Sequence, residues 1–359
     1  MNFNIGDPDG RRIAQRRALL LGEAGDVVQA LLTLLRRAEF DDHELPAMLA
    51  RMKDAENAQL VKAHGRLTAR TRYKGMSSHP LLEKRVRSNL FIDECGKSFP
   101  EPHLNPSFFS LGAVALSDSM VTTYCAAANE IKKEFFGTTN LTFHEPDMRQ
   151  RSGVYYFSGD VQKQEEFDQA MDGLVDATDF VAFGVGVRKN AFEKEFVEAG
   201  SDPYLPTDAY ELAIILLMER YVDYLANCPD KMTGKVTFES QGTREDAEHP
   251  WGFAKVLLYG TQWLPDSVFR NWIAPGVEFN PKRGSDPTEL SDMFSRNLYE
   301  WIRDDCQSSV RPKRWDVFNR KIYCRADGLR GKFGVKVFPD SDIRDRVEAH
   351  RADCGATLK

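Results

Sequence analysis

Two patterns in this chain predict a mixed α/β fold with a helical N-terminal extension. Up to residue 86, apolar residues recur at three- and four-residue spacing, as in VVQALLTLLRRAEF and LPAMLARMKDAENAQLVKAHGRL, the period of a one-sided helix. From residue 87 short β-rich runs take over. Two lie close together and suggest an antiparallel pair, and later runs alternate with helical stretches. The chain divides accordingly into a helical region 1–86, an α/β domain 87–310 and a basic C-terminal segment 311–359.

SNLFIDEC (88–95) and SFFSLGAVAL (107–116) read as buried strands, joined by a loop carrying Gly96, Pro100, Pro102 and Pro106. Ser117-Asp118 opens a helix to about Phe136, because a serine and an acid can meet the unpaired N–H groups of a first turn. A short strand at Leu141–Phe143 then runs into His144-Glu145-Pro146-Asp147, where the proline suits a helix start. A helix over 161–176, a strand over 179–187, a helix over 207–226 and a strand over 235–240 follow. The order closes with a helix over 243–259, opened by Thr243-Arg244-Glu245-Asp246 as a capping pattern, a strand near 277–279 and a helix over 288–304.

Several classes are excluded. The charged start MNFNIGDPDGRRIAQRR is no secretion signal, and the apolar run in YELAIILLMERYVDYL is broken by Glu211, Glu219 and Arg220 before it can span a bilayer. Six scattered cysteines without a CxxC pair read as reduced cytoplasmic thiols. FGVGVRKN lacks the third glycine of a dinucleotide fingerprint, and no Walker sequence occurs.

The net charge is −6, yet two segments are strongly basic. Residues 57–90 carry eight Lys and Arg against one acid, and residues 311–336 carry nine against two. Both read either as solvated helix faces or as grips for a phosphate backbone. In the second, Trp315, Phe318, Tyr323 and Phe333 are interleaved with the basic residues. They suit either stacking on bases or the core of a small hairpin turning at Ala326-Asp327-Gly328. The N-terminal helices offer a cap, a dimer contact or a docking site for a protein partner.

Carboxylates end two strands and border one buried helix stripe. Alternation puts Phe91, Asp93 and Cys95 on one face of the first strand and Ile92 and Glu94 on the other. Glu239 ends a later strand in the same way. Asp292 borders the stripe formed by Leu290, Met293, Phe294, Leu298, Trp301 and Ile302. Brought together, Asp93, Glu239 and Asp292 are hard oxygen ligands suited to Mg²⁺ or Mn²⁺. Each has a plainer reading: Asp93 caps the turn before Gly96, Glu239 is solvated, and Asp292 pairs with Arg296 four residues on.

FIDECG followed by FFSLGAVAL, the His144-Glu145 step, FESQGTRED and a final LSDM on a helix resemble a ribonuclease H-like fold. In particular they are similar to a widespread, often defence-associated prokaryotic family whose first strand reads Ile-Asp-Glu-Ser-Gly. The resemblance covers about residues 88–305; Cys95 stands where that family has serine, and Ser291-Asp292 replaces Ala-Asp. It implies metal ligands at Asp93, Glu239 and Asp292 and a fourth acid at Glu145 or Asp147. The implied activity is divalent-metal-dependent hydrolysis of phosphodiester bonds in DNA or RNA. The alternative is a non-catalytic module of the same fold that binds nucleic acid or protein, and a third reading is a hydrolase of small phosphorylated substrates.

Overall fold

The computed structural model describes residues 87–97, 108–197, 206, 208–228, 230, 232–240, 250–261, 264–280, 284, 286–303, 314–324 and 334–339. The expected N-terminal helices, most of the first basic segment, the capping pattern at Thr243–Asp246 and the turn at Ala326–Gly328 lie outside these residues.

Strands β1 (Arg87–Cys95) and β2 (Phe108–Ser117) pair antiparallel, as their proximity in sequence suggests. Helix α1 (Asp118–Phe136) starts where expected, with the Ser117 hydroxyl accepting the Met120 N–H, and ends at Gly137 in the left-handed region. The short helix α2 (Glu145–Gln150), a 3₁₀ segment (Gly153–Gly159) and α3 (Val161–Ala177) lead to β3 (Val181–Arg188). Helix α4 (Ala209–Asn227), β4 (Thr233–Glu239), α5 (Pro250–Tyr259), α6 (Asp266–Trp272) and β5 (Ile273–Asn280) follow. Helices α7 (Thr288–Arg303) and α8 (Trp315–Lys321) and strand β6 (Val335–Phe338) complete the order.

The six strands form one mixed sheet in the order β5-β4-β1-β2-β3-β6. Strand β2 is antiparallel to both its neighbours, while β1–β4, β4–β5 and β3–β6 run parallel. A single parallel bridge from Ala182 to Ile322 extends the pairing beside β6. The sheet is apolar on both faces, so its strands read as continuous hydrophobic runs.

One face, with Leu90, Ile92, Val236 and Phe238, packs against α4, α5 and α6. The other, with Phe91, Val114 and Leu116, packs against α7, α1, α3 and α8. Each fully buried Leu, Ile or Phe contributes about 1.5–3 kcal/mol, so the two layers dominate the stability of the fold.

One sequence expectation is corrected and one open alternative is decided. Residues 141–143 are not a strand, because the Phe143 N–H is turned to the Glu289 carboxylate at 2.7 Å and not to a neighbouring strand. Trp315, Phe318 and Tyr323 are core residues, not a stacking surface. Trp315 stacks on Trp301 with ring centroids 4.3 Å apart, and Tyr323 packs on Phe183 from the opposite layer. Aromatics alternating with basic residues here encode a short amphipathic helix and the edge of the sheet. Among the described residues no helix is long and apolar enough to cross a membrane.

Candidate functional site

Asp93 lies near the C-terminal end of the central strand and is buried at 6% exposure. Its Oδ2 accepts a hydrogen bond from the Ser295 hydroxyl of α7 at 2.9 Å, which points the carboxylate into the sheet–helix interface and not toward the Gly96 turn. Glu94, on the opposite face, is half-buried, so the two adjacent acids diverge as alternation requires.

Strand β4 brings the second acid alongside. Phe91 pairs with Thr237 and Ile92 with Phe238, and the next step along both parallel strands sets Asp93 beside Glu239 on the same face. Glu239 is 3% exposed. Acids separated by much of the domain in sequence are neighbours because β1 and β4 lie side by side.

Helix α7 supplies the third. Asp292 is 8% exposed, and its Oδ2 accepts the backbone N–H of Glu145 at 2.8 Å. One turn on, the Ser295 hydroxyl lies 3.1 Å from the Asp292 carbonyl as well as within reach of Asp93. The ion pair expected between Asp292 and Arg296 is replaced by one from Arg296 to Glu300, Nε to Oε1 at 2.9 Å.

The helix can approach this closely because the strand opposite lacks a side chain. Gly112, paired with Asp93 across β1–β2, faces α7, and a Cβ there would stand 2.5 Å from the Ser295 Cα. On β3, a Cβ at Gly184 would meet the Leu298 side chain at 2.6 Å. The glycines of FGVGV therefore admit a helix against the sheet.

Glu145 is held by two arginines. Its side chain is fully buried, with Oε1 taken by Arg149 at 2.9 Å and Oε2 by Arg314 at 3.1 Å. Burial pushes this carboxyl up in pKa, against the pull of Arg314 and Arg149. Two guanidiniums thus engage the Glu145 carboxylate, and its backbone N–H orients Asp292. Arg314 itself is 2% exposed and also meets Asp172 at 2.8 Å and Asp168 at 3.6 Å. Asp147, the other candidate fourth acid, is exposed and bonds to His144 Nδ1 at 2.8 Å and to the Ser152 hydroxyl at 3.1 Å.

Glu289, on the turn of α7 before Asp292, went unread in the sequence. It is buried with Lys132 at 2.6 Å, accepts the Tyr124 hydroxyl at 3.1 Å, and holds the Phe143 N–H. Burial raises its carboxyl to about 7, opposed by Lys132. Glu289 and Asp292 thus take alternate amides of the 143–145 segment and lay it along the helix. Ser295 and Gly112 were missed too. An isolated glycine inside an apolar strand is a readable sign of close backbone approach.

Among the described residues no three His, Cys, Asp or Glu side chains form a ready-made group able to hold a metal ion. The arrangement is three buried carboxylates: Asp93 held by the Ser295 hydroxyl, Glu239 adjacent to it across parallel strands, and Asp292 held by the Glu145 amide. No protein-family profile, no curated protein and no solved structure matches this chain.

Proposed function

We propose that this chain is a ribonuclease H-like nuclease that hydrolyses phosphodiester bonds of DNA or RNA at Asp93, Glu239 and Asp292 with Mg²⁺ or Mn²⁺. The observation that carries the reading is the placement of Glu239 next to Asp93 on the sheet beneath α7, whose Ser295 holds the Asp93 carboxylate one turn after Asp292. The sheet order supports it: the first strand is central and the second alone runs antiparallel, the layout expected of a ribonuclease H-like fold.

The donor set fits a hard cation in kind. Magnesium is held by one or two carboxylates and completes its shell with water and phosphate oxygens, so a three-ligand protein cage is not required. Bound there, such ions supply an activated water and stabilisation of the leaving oxygen. The chain's own part is positioning. Ser295 fixes the Asp93 carboxylate, the Glu145 amide fixes that of Asp292, and burial keeps bulk water from screening either.

The same hydrogen bonds favour a second reading, since scaffold donors already engage both aspartates: a binding module of the same fold without catalysis. Incubating single- and double-stranded DNA and RNA with the protein in Mn²⁺ or Mg²⁺, beside an identically prepared Asp93→Asn variant, decides between them. Metal-dependent cutting lost in the variant supports the nuclease. Binding without cutting by either protein supports the module, and equal cutting by both removes Asp93 from the site.

A further inference from the structure

We infer that Arg296 is the residue that grips a backbone phosphate of the nucleic acid at this site, an inference that rests on the nuclease reading. Three described basic residues of the C-terminal segment are engaged elsewhere. Arg314 is enclosed by Glu145, Asp168 and Asp172, Arg320 pairs with Asp176, and Lys321 donates to the carbonyls of Asp176 and Thr178.

Arg296 is differently placed. It follows Asp292 by one turn of α7, and its Nη1 lies 3.8 Å from the Cys95 sulfur. Cys95 is two residues past Asp93 on the same face of β1, so the guanidinium hangs over the strand end just beyond the carboxylates. That end is where parallel strands commonly present a ligand site.

Its exposure and its partners separate it from Arg149, Arg151 and Arg314. The Arg296 side chain is 36% exposed, against 22% for Arg149, 25% for Arg151 and 1% for Arg314. Glu300 occupies Nε, while Nη1 faces sulfur, a weak acceptor. A phosphate oxygen is a far stronger acceptor for that edge, and the planar fork matches two such oxygens at once. The Tyr299 ring, 5.9 Å from the guanidinium, flanks it.

Charge makes such a residue necessary. Asp93 and Glu239 at adjacent strand ends and Asp292 on α7 repel an approaching phosphodiester, and a cation fixed beside them offsets that repulsion where the backbone must lie. The ligand class is therefore a nucleic-acid phosphodiester. Glu300 holds the guanidinium in place.

The test is binding of single-stranded DNA and RNA oligonucleotides to the full chain carrying Asp93→Asn, titrated across NaCl concentrations, with Arg296→Gln, Arg296→Lys or Glu300→Gln added. Arg296→Gln is expected to weaken binding about tenfold or more at low salt, the loss of a charge-assisted bond. It should also flatten the slope of log affinity against log salt by about 0.7, one phosphate contact on a single strand. Arg296→Lys should keep the slope and lose part of the affinity. Glu300→Gln should keep the slope, whereas a guanidinium that serves solely the Glu300 pair would make both variants behave alike. An unchanged slope in Arg296→Gln, with the wild type still cutting, overturns the assignment and leaves the nuclease reading intact. No binding by Asp93→Asn and no cutting by the wild type overturns both.

Discussion

The Ser295 hydroxyl donates to Asp93 across 2.9 Å, joining residues 202 positions apart and fixing α7 over the central strand. Replacing Ser295 with alanine removes one donor from a buried carboxylate, and stability should fall by about 1–3 kcal/mol. Asp93→Asn keeps an acceptor for Ser295 and removes a charge, so it should fold. The two variants differ in their response to metal. Saturating Mn²⁺, at about a hundred times its dissociation constant, should stabilise the wild type by about 2.7 kcal/mol and leave Asp93→Asn unmoved. Thermal melts with Mn²⁺ and with a chelator check this, and an equal response in both proteins would remove Asp93 from the proposed metal site.

Gly112→Ala should be among the most damaging small substitutions in the chain. The added Cβ meets backbone atoms of Ser295 at 2.5–2.6 Å, and a helix backbone cannot swing aside as a flexible side chain can. Overpacking of this kind costs about 1–3 kcal/mol or more. Gly184→Ala meets the tip of Leu298 and should cost less. Denaturant midpoints of the two variants give the comparison, and the proposed metal-dependent activity should be lost first in Gly112→Ala because α7 carries Asp292.

The parts of this structure that were legible in the sequence are those written locally. Alternation around Phe91 and Asp93 located β1 and its polar end, and the apolar stripe from Leu290 to Ile302 set Asp292 at the border of α7. Ser117 marked the start of α1 because capping is a contact over three residues. The surroundings of Glu145 were not legible for the opposite reason: its partner Arg314 is 169 positions away, and no local spacing distinguishes an acid awaiting a metal from one awaiting a guanidinium. Leu141–Phe143 has the composition of a strand but spends the Phe143 amide on Glu289, 146 positions on. Trp315 and Phe318 show that the periodicity of a stacking surface and of a buried helix is the same until burial is known.

Arg314→Met should destabilise strongly, because it leaves the Glu145 carboxylate buried with one of its two guanidiniums gone. Breaking a buried pair from one side costs about 3–5 kcal/mol. Adding Glu145→Gln should restore part of the loss, since the charge left behind disappears with it. A double-mutant cycle by denaturant unfolding measures the recovery. If Glu145 is instead a metal ligand, Glu145→Gln alone will abolish metal-dependent cutting without this coupling to Arg314.

Glu289 gives the chain a pH dependence of definite sign. Burial raises its folded pKa from 4.5 to about 7, so between those values the folded chain keeps a proton that the unfolded chain has released. Its stabilising contribution is full below pH 4.5 and is lost as pH rises through 7. Glu289→Gln removes this titration and leaves Lys132 buried without its carboxylate. Burial lowers the Lys132 pKa, so any titration of that amine makes the variant gain stability as pH rises, in the same sense. Going from pH 4.5 to 7, the wild type should lose up to about 3 kcal/mol relative to Glu289→Gln, at about 1.4 kcal/mol for each tenfold difference in proton affinity between the folded and unfolded chain. Chemical unfolding of both proteins at the two pH values measures the difference. A constant gap would mean that Lys132, Tyr124 and the Phe143 amide together hold Glu289 ionised throughout, the three donors outweighing its burial.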